Sequence, residues 1–306
     1  MTVASFIPEL WAAKLLVPYE GANVFGQPTV ANRDYEGEIA KYGDTVHINA
    51  IGDPTISDYV PGEDLTFEAL TTTSQTLVID QGKTFSFQVN DVDKAQARAD
   101  FGGEALRRAG YKMAAAVDTF QAKTVSAGAH TDNKIGRVKI VSGGTGIAGT
   151  GQITAYDVLV ELGLKLSLQD VPLAGRYVIV DPNFIAAVQK DDRFTDVSAA
   201  GTNETLRNGL VKRAAGFDIL VSNNLATVGG SGADKNDKII VAGTSGAFTF
   251  ASQLVELKAA PHPFQFEDTI KALNVFGAKV TIPEGLATAS VQAYEPGTGS
   301  QMVVAA

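Results

Sequence analysis

The segment 43–89 decides the fold, and it reads GDTVHINAIGDPTISDYVPGEDLTFEALTTTSQTLVIDQGKTFSFQV. Near its start, polar and apolar residues alternate over 46–50, which predicts a short strand with its apolar side chains on one face. Near its end, the apolar run 77–80 continues through 85–90 and predicts one longer strand. Between these two strands lie some two dozen residues, 51–76, which include the polar run Thr71-Thr72-Thr73-Ser74.

This connection is too long and too apolar to be a free linker. Unstructured loops beyond about 12–15 residues are uncommon in compact domains, and they are usually functional or held by another part of the structure. The connection carries the large apolar residues Ile56, Tyr59, Val60, Leu65, Phe67 and Leu70. We interpret it as a long hairpin arm that leaves its own domain and buries these side chains on a neighbouring subunit. Ile56, Tyr59, Val60, Leu65 and Phe67 are therefore the predicted interface residues of the arm.

The first 25 residues also have the pattern of an arm. Ile7, Leu10, Trp11 and Leu15 recur at helical spacing, but the segment is too short to form a stable helix alone. Trp11 is the only tryptophan in the chain, and we include it among the predicted subunit-interface residues. The alternative, that Trp11 packs against the core of its own chain, stays open at this point.

The charge balance argues against direct binding of nucleic acid. Asp and Glu outnumber Lys and Arg by 34 to 25, and the net charge is −9. Nucleic-acid binders neutralise phosphates with clusters of basic residues, whereas no basic run here is longer than two residues. A container whose inner wall must not retain DNA has this kind of balance.

Several other classes of protein are disfavoured by composition. The absence of cysteine excludes disulfides, thiolate metal sites and thiol nucleophiles. The N-terminus lacks the basic region of a signal peptide, and no apolar window approaches the length of a membrane span. We therefore expect a protein that is made and kept in solution, with no membrane partner.

The rest of the chain predicts an α+β protein. A helical pattern runs over about 100–127 and is the longest in the chain, with Asp91 and Asp93 as its predicted N-cap pair. Further elements are predicted at 137–141 (strand), 154–166 (helix), 177–180 (buried strand), 182–188 (helix), 209–221 (hairpin around Ala214-Ala215-Gly216), 239–241, 247–253 and 276–283 (strands). A Gly-rich connection between 127 and 152 marks a domain boundary.

No pattern of residues predicts an active site. The loop 144–149 matches G-x-G-x-x-G, but the next helix begins only near Thr154, too late to face a bound pyrophosphate. None of the three histidines, His47, His130 and His262, is spaced from another ligand as a zinc site requires. We predict no catalytic, cofactor or metal residues, no cofactor, and no enzymatic activity.

In this order and spacing, the motifs resemble the major capsid protein of tailed double-stranded DNA bacteriophages, with the Hong Kong-ninety-seven-type capsid fold. The N-terminal motif FIPELW at 6–11 resembles that family's N-terminal arm, GDTVHI at 43–48 resembles the outgoing strand of its extended loop, and DVD at 91–93 resembles the turn before its spine helix. GFDILVSN at 216–223, AFTFASQ at 247–253 and FGAKV at 276–280 resemble its later motifs. The resemblance covers roughly residues 5–290.

The resemblance implies an architecture of five segments. These are an N-terminal arm (1–30), an extended loop hairpin with peripheral-domain strands (31–90), a spine helix of the peripheral domain (91–134), an axial domain (135–245), and a return to the peripheral domain with a C-terminal tail (246–306). It also implies hexamers and pentamers in an icosahedral shell that encloses double-stranded DNA, with portal and scaffolding proteins as partners and assembly in the host cytoplasm. Some members crosslink a loop lysine to an asparagine; Lys41 and Lys83 lie at the base of the arm, but no asparagine partner can be assigned.

Two alternatives remain open from the sequence. The chain could form the shell of an encapsulin-type bacterial compartment of the same fold, which would hold a cargo protein instead of DNA. It could also be a cytoplasmic enzyme that uses the glycine-rich loop 144–149 to bind a nucleotide.

Overall fold

The computed structural model describes residues 23–35, 42–51, 54–56, 58, 67–69, 72–90, 101–141, 152–189, 213–228, 237–261 and 267–292. The strands are β1 (Thr45–Ile51), β2 (Thr72–Val78), β3 (Gln81–Asn90), β4 (Lys134–Val141), β5 (Gln152–Thr154), β6 (Arg176–Val180), β7 (Arg213–Ala214), β8 (Phe217–Val221), β9 (Lys238–Thr244), β10 (Phe248–Pro261), β11 (Glu267–Val280) and β12 (Leu286–Val291). The helices are α1 (Phe101–Gly128), α2 (Ala155–Leu168) and α3 (Pro182–Gln189). The mixture of helices and sheets confirms the predicted α+β class.

A seven-stranded mixed sheet forms one part of the fold, in the order β5-β4-β12-β9-β6-β8-β7. Its strands come from the segment 134–244, except for β12, which follows the last long strand of the chain. β12 lies in the middle of the sheet, parallel to β4 and antiparallel to β9. The C-terminal part of the chain thus returns to this sheet, although the sequence assigns 246–306 to the peripheral domain. The five-segment division itself stays a prediction.

Both faces of this sheet are covered, which explains why β6 is apolar over residues 178–180. All five residues of β6 are buried. Val178 and Val180 pack with α2 and α3, whereas Tyr177 and Ile179 point to the other face and join a cluster that includes residues of α1. Because successive side chains of a strand point to opposite faces, a strand between two layers buries all of its side chains. The charged residue of β6, Arg176, is buried with its guanidinium group donating hydrogen bonds to the carbonyl oxygens of Gly163, Val171 and Pro172.

The helices on the first face begin where the sequence predicts. Thr154 caps α2, since its side chain accepts a hydrogen bond from the backbone N–H of Asp157 at 3.2 Å. Leu159, Leu162 and Leu166 of α2 are fully buried, and burial of each such side chain stabilises the fold by about 1.5–3 kcal/mol. Before α3, the Asp181 carboxylate accepts a hydrogen bond from the backbone N–H of Asn183 at 3.1 Å.

The predicted hairpin around Ala214-Ala215-Gly216 is confirmed in its turn. β7 and β8 are antiparallel and joined by Ala215 and Gly216, which have φ angles of 49° and 84°. Positive φ at both central residues is the feature of the type I′ turn, whose twist matches that of the strands. Residues 209–212, which the sequence assigns to the first strand, lie outside the described part of the chain.

The second sheet contains three strands in the order β10-β11-β3, all antiparallel. β10 and β11 are 14 residues each, so the sequence-based prediction of short strands at 247–253 and 276–283 covers only part of each. It missed the halves that carry polar residues such as Lys258 and Lys271, because these halves lack the apolar run that the other halves have. Strand pairing in register holds these halves together instead.

The long predicted helix is confirmed as α1, which has 28 residues. It packs on the three-stranded sheet through Leu106, which meets Ile270, Phe85 and Phe87. Further along, Val117 and Val125 join the core beneath the seven-stranded sheet. The helix therefore links the two sheets into one body.

A buried carboxylate on α1 connects this helix to two other segments of the chain. Asp118 of α1 has no exposed surface, and its carboxylate accepts hydrogen bonds from the Phe25 backbone N–H at 2.8 Å, the Ser222 hydroxyl at 2.9 Å and the Asn224 side-chain amide at 3.1 Å. These donors belong to the segment before β1 and to the segment after β8. Asp118 thereby joins three distant parts of the chain.

The single long strand predicted over 77–90 is wrong. The chain turns at Ile79 and Asp80, so that β2 pairs with β1 in a two-stranded sheet while β3 joins β11. The polar run 71–74, which the sequence assigns to the loop, belongs mostly to β2. The periodicity of the side chains continues through the turn, so only tertiary pairing shows that two sheets meet there.

A glycine allows the two sheets to meet this closely. A Cβ atom on Gly277 of β11 would collide with the Val78 carbonyl oxygen at the end of β2 and with the Ile79 side chain. The backbone of the turn between β2 and β3 therefore lies directly on β11. The Ile79 side chain could move aside, but the Val78 carbonyl group is backbone and can move only with the turn itself.

Replacement of Asp118 tests the buried junction. We expect Asp118→Ala to lower the free energy of unfolding by about 3 kcal/mol or more, because it leaves buried donors unpaired at about 1–3 kcal/mol each. Urea denaturation followed by circular dichroism measures this change. Glu104→Ala is the matched control, since Glu104 is an exposed carboxylate on the same helix that contacts only Arg107 and Arg108 among the described residues. Equal stability of the two variants would contradict the assignment.

The same residue predicts a pH dependence. Burial raises the pKa of Asp118, and the hydrogen bonds from Phe25, Asn224 and Ser222 oppose this shift without cancelling it. Since the folded pKa lies above the unfolded value of 3.8, the contribution of this group is complete below that pH and is lost as the pH rises through the folded pKa. We expect the stability of the wild type relative to Asp118→Asn to fall over this range. A pH-independent difference in urea midpoints would show that the carboxylate does not titrate in this way.

Gly277→Ala tests the close approach of the two sheets. We expect a loss of about 1–3 kcal/mol in the free energy of unfolding, because the added methyl group forces backbone to move. Gly136→Ala provides the control, since Gly136 is exposed in β4 and a Cβ atom there would meet nothing within 4 Å. Thermal unfolding of both variants gives the comparison, and a midpoint for Gly277→Ala at the control value would refute the expectation.

Candidate assembly arm

The hairpin of β1 and β2 has one apolar face at its base and becomes polar towards its end. In the register of the pair, Val46 lies opposite Leu77, and Ile48 lies opposite Gln75. Residues directly opposite on antiparallel strands share a face, so this face carries an apolar pair nearest the body and a mixed pair beyond it. The alternating strand predicted at 46–50 is confirmed.

The base of the hairpin is buried against the second sheet. Val46, Leu77 and Ile79 form a cluster with Ala251 of β10 and Val275 of β11. Leu77 and Ile79 have no exposed surface. This cluster, which we call the arm root, is separate from the two cores on either side of the seven-stranded sheet.

Hydrogen bonds at the arm root orient the hairpin relative to the body. The Lys279 ammonium group donates to the Thr76 carbonyl oxygen at 2.9 Å, and the Gln75 side-chain amide donates to the Thr281 carbonyl oxygen at 3.1 Å. Two backbone hydrogen bonds between Gly43 or Asp44 and Ile79 close the base of the hairpin. Apolar packing alone is non-directional, so these polar contacts set the angle at which the hairpin leaves the body.

The far end of the hairpin exposes large apolar side chains. Ile56 is 94% exposed and Phe67 is 97% exposed. The two described parts of the loop that carry them are joined by a hydrogen bond from the Thr55 backbone N–H to the Glu68 carboxylate at 3.1 Å. Single exposed apolar residues are ordinary on protein surfaces, whereas here two nearly complete exposures lie on one loop.

Of the six predicted interface residues, the structure describes Ile56 and Phe67 and brings both to the same loop. Trp11, Tyr59, Val60 and Leu65 lie outside the described residues. The predicted N-cap pair, Asp91 and Asp93, the glycine-rich loop 144–149 and Lys41 also lie outside them. The interface role of all six residues stays a prediction.

The residues that hold the arm root have no distinguishing pattern in the sequence. Lys279 and Gly277 lie in the run FGAKV at 276–280, which the sequence singles out only as a strand motif. Gln75 and Thr76 lie in a polar stretch with no distinguishing pattern. Their roles follow from contacts across about 200 positions of the chain, which periodicity within one strand does not report.

The described histidines have local partners. His47 of β1 lies with its Nδ1 atom 3.4 Å from the Thr76 hydroxyl, and the Nδ1 atom of His130 accepts a hydrogen bond from the Asp132 backbone N–H at 3.4 Å. His262 lies outside the described residues. Within the described ranges, no three His, Asp or Glu side chains are grouped so that they could hold a metal ion. No helix in those ranges is long and apolar enough to cross a membrane.

Comparison with known proteins agrees with this architecture. The family model described as phage capsid protein matches residues 72–289, which is more than half of the chain. A solved structure of Mycobacterium phage Che8 aligns with a TM-score of 0.65 and 28% identity, covering 87% of this chain and 90% of that chain. No curated protein matches the chain.

Two more distant structures show the same fold. The capsid of the cyanophage P-SCSP1u aligns with a TM-score of 0.67 and 19% identity, covering 89% of each chain. The capsid of Ralstonia phage GP4 aligns with a TM-score of 0.62 and 13% identity, covering 91% of each chain. The Hong Kong-ninety-seven-type capsid fold expected from the sequence is confirmed, and the encapsulin-type alternative is not favoured. The chain belongs to the phage capsid protein family and is a structural protein of the head shell of the virion.

Proposed function

We propose that this chain is the major capsid protein that assembles into the hexamers and pentamers of an icosahedral head, with the hairpin arm as a principal contact between subunits. The exposure of Ile56 and Phe67 at the end of an anchored hairpin carries this proposal. Burying each of these side chains on a neighbour would contribute about 1.5–3 kcal/mol. A closed shell repeats such a contact at every subunit, so modest contacts suffice.

In the proposed assembly, the two sheets lie in different parts of each hexamer or pentamer. The three-stranded sheet and α1 form the peripheral domain, from which the arm leaves, and the seven-stranded sheet forms the axial domain around the centre of each hexamer or pentamer. The continuous cores on both faces of the seven-stranded sheet support a rigid axial unit. Trp11, Tyr59, Val60 and Leu65 join Ile56 and Phe67 as proposed interface residues.

Other components of a head follow from the same proposal. Portal and scaffolding proteins are the proposed partners during assembly, and double-stranded DNA is enclosed without sequence-specific binding. The net charge of −9 supports this last point, since the chain as a whole repels a polyanion. The proposed role is structural and includes no catalytic step or cofactor.

We expect Ile56→Asp/Phe67→Asp to abolish closed particles while the subunit stays folded. Both side chains are exposed in the single chain, so their replacement costs the fold little, but a charge cannot be buried in the proposed contact without a partner. Negative-stain electron microscopy and sedimentation velocity of the full chain, with a scaffolding protein if one is needed, measure assembly. The control Ile56→Leu/Phe67→Leu keeps the apolar surface and should assemble.

Deletion of residues 53–71 is a second test of the arm. One glycine is inserted in place of the deleted residues, so that with Gly52 a two-residue turn joins β1 to β2. The variant lacks the loop but keeps both strands, so circular dichroism should report a folded chain. Particles of normal size from this variant would show that the arm is not required for assembly.

A further inference from the structure

The helix α2 carries an apolar stripe on the side that faces away from the core. Val160, Leu164 and Leu168 follow one another at intervals of four residues and are 47%, 56% and 69% exposed. At about 3.6 residues per turn, they lie on the side of α2 opposite its buried leucines. The outer side of an amphipathic helix is normally polar, whereas this helix is apolar on two opposite sides.

A fourth exposed apolar side chain lies in the loop after α2. Leu173 is 74% exposed. The Arg176 guanidinium group holds this loop against the helix, because it donates hydrogen bonds to the Pro172 carbonyl oxygen at 2.9 Å and to the Gly163 carbonyl oxygen of α2 at 3.1 Å. Leu173 therefore stays beside the helix. We call the four residues Val160, Leu164, Leu168 and Leu173 the α2 stripe.

The shape of the α2 stripe suits a short apolar segment better than the surface of a folded protein. Glu161 and Lys165 border the stripe on one side of α2 and Ser167 borders it on the other, so the apolar surface is only one helix wide. Interfaces between folded proteins usually involve about 20–30 residues on each side. A few apolar residues in an extended segment match a surface of this width.

The chain contains such a segment after β12. Residues 293–306, which we call the tail, read AYEPGTGSQMVVAA and lie outside the described residues. Glu295 is the only charged side chain of the tail, and Met302, Val303 and Val304 form its apolar run. The proline and glycines at 296–299 favour neither helix nor strand. The sequence of the tail therefore predicts a connection followed by a short apolar run.

The tail starts at the edge of the seven-stranded sheet at which α2 also starts. Val291 of β12 pairs with Val138 of β4, and the Gln292 backbone N–H donates to the Val138 carbonyl oxygen at 3.0 Å. β4 continues from there beside β5, which leads directly into α2 at Ala155. Because β12, β4 and β5 are parallel, the chain leaves β12 near the first turn of α2.

The tail is long enough to lie along α2. The helix has 14 residues and is about 21 Å long, whereas residues 293–301 span up to about 30 Å. We propose that the apolar run 302–304 binds the α2 stripe of its own chain around Leu164. A short tether favours the chain's own stripe over that of a second copy, because it holds the run at an effective concentration of about a millimolar.

The bound tail covers an apolar surface that otherwise promotes non-specific association of free subunits. This inference does not depend on the proposed role of the arm. The arm variants described above leave 160–173 and 293–306 unchanged, so the two proposals are tested separately.

Disulfide trapping tests the contact in the full chain, which has no natural cysteine. A disulfide forms only where the two Cα atoms come within about 7 Å, so it reports direct contact. Under mild oxidation, we expect Leu164→Cys/Val303→Cys to link within one chain at least about tenfold faster than the control Lys139→Cys/Val303→Cys. Electrophoresis without reductant separates linked pairs of chains from single chains, and mass spectrometry identifies the linked peptides.

The control pair is matched for access to the tail. Lys139 is exposed and follows Val138 directly, so it lies close to the start of the tail. Val138 and Ile140 pack in the core beneath α2, and Lys139, which alternates with them, points to the opposite face of the sheet. A tail that does not settle on α2 therefore links to position 139 at least as fast as to position 164.

Charges in the tail test the same contact without cysteine. We expect Val303→Asp/Val304→Asp to fold normally by circular dichroism and to bind at least about twofold more of the apolar dye ANS, because the charged run leaves the stripe. Val303→Leu/Val304→Leu keeps the run apolar and should bind dye like the wild type. In a chain that also carries Leu164→Ser/Leu168→Ser, the aspartates should change dye binding little, since the stripe itself is then polar.

Each of three outcomes would overturn the inference. Equal linking rates of the two cysteine pairs would show that the tail does not occupy α2. Links mainly between chains would make a second copy the occupant of the stripe. Dye binding unchanged by Val303→Asp/Val304→Asp would show that the tail does not cover the stripe.

Discussion

The contact between the arm root and β11 is the constraint on which the rest of the structure depends. β11 pairs with β10 and β3, supports α1 through Ile270, and meets the turn after β2 at Gly277. β11 therefore contacts the other two strands of its sheet, the helix α1 and the base of the hairpin. Because backbone lies on backbone at Gly277, a larger residue at this position would force β11 and the base of the hairpin apart.

A second junction is polar and links the other parts of the body. The Asp118 carboxylate receives neutral donors from the segment before β1 and from the segment after β8. Burial of a carboxylate is unfavourable, and here hydrogen bonds satisfy it without a positively charged partner among the described residues. Such a group favours one arrangement of the three segments, since any other arrangement leaves a buried charge unsatisfied.

These two junctions hold the parts of the subunit in fixed positions. A subunit of this kind suits a shell in which each contact between subunits is weak. In the assembly proposed above, rigid connections within the chain mean that little conformational freedom would be lost when a neighbour covers the hairpin. The net charge of −9 gives the chain as a whole the same sign as a polyanion.

The amino-acid sequence by itself determined the α+β class, α1, the buried strand β6, the cap of α2, the turn between β7 and β8, and the family. The class and the family follow from the order of motifs along the chain, whereas each single element depends on neighbouring residues, where helical or strand periodicity, a capping side chain or positive φ acts locally. Only the tertiary structure decided that 77–90 is divided between two sheets, that β10 and β11 extend through their polar halves, and that β12 enters the middle of the seven-stranded sheet. The physical reason is that strand pairing and close packing join residues far apart in the chain, and an alternating pattern reports which face a residue occupies but not which strand lies beside it.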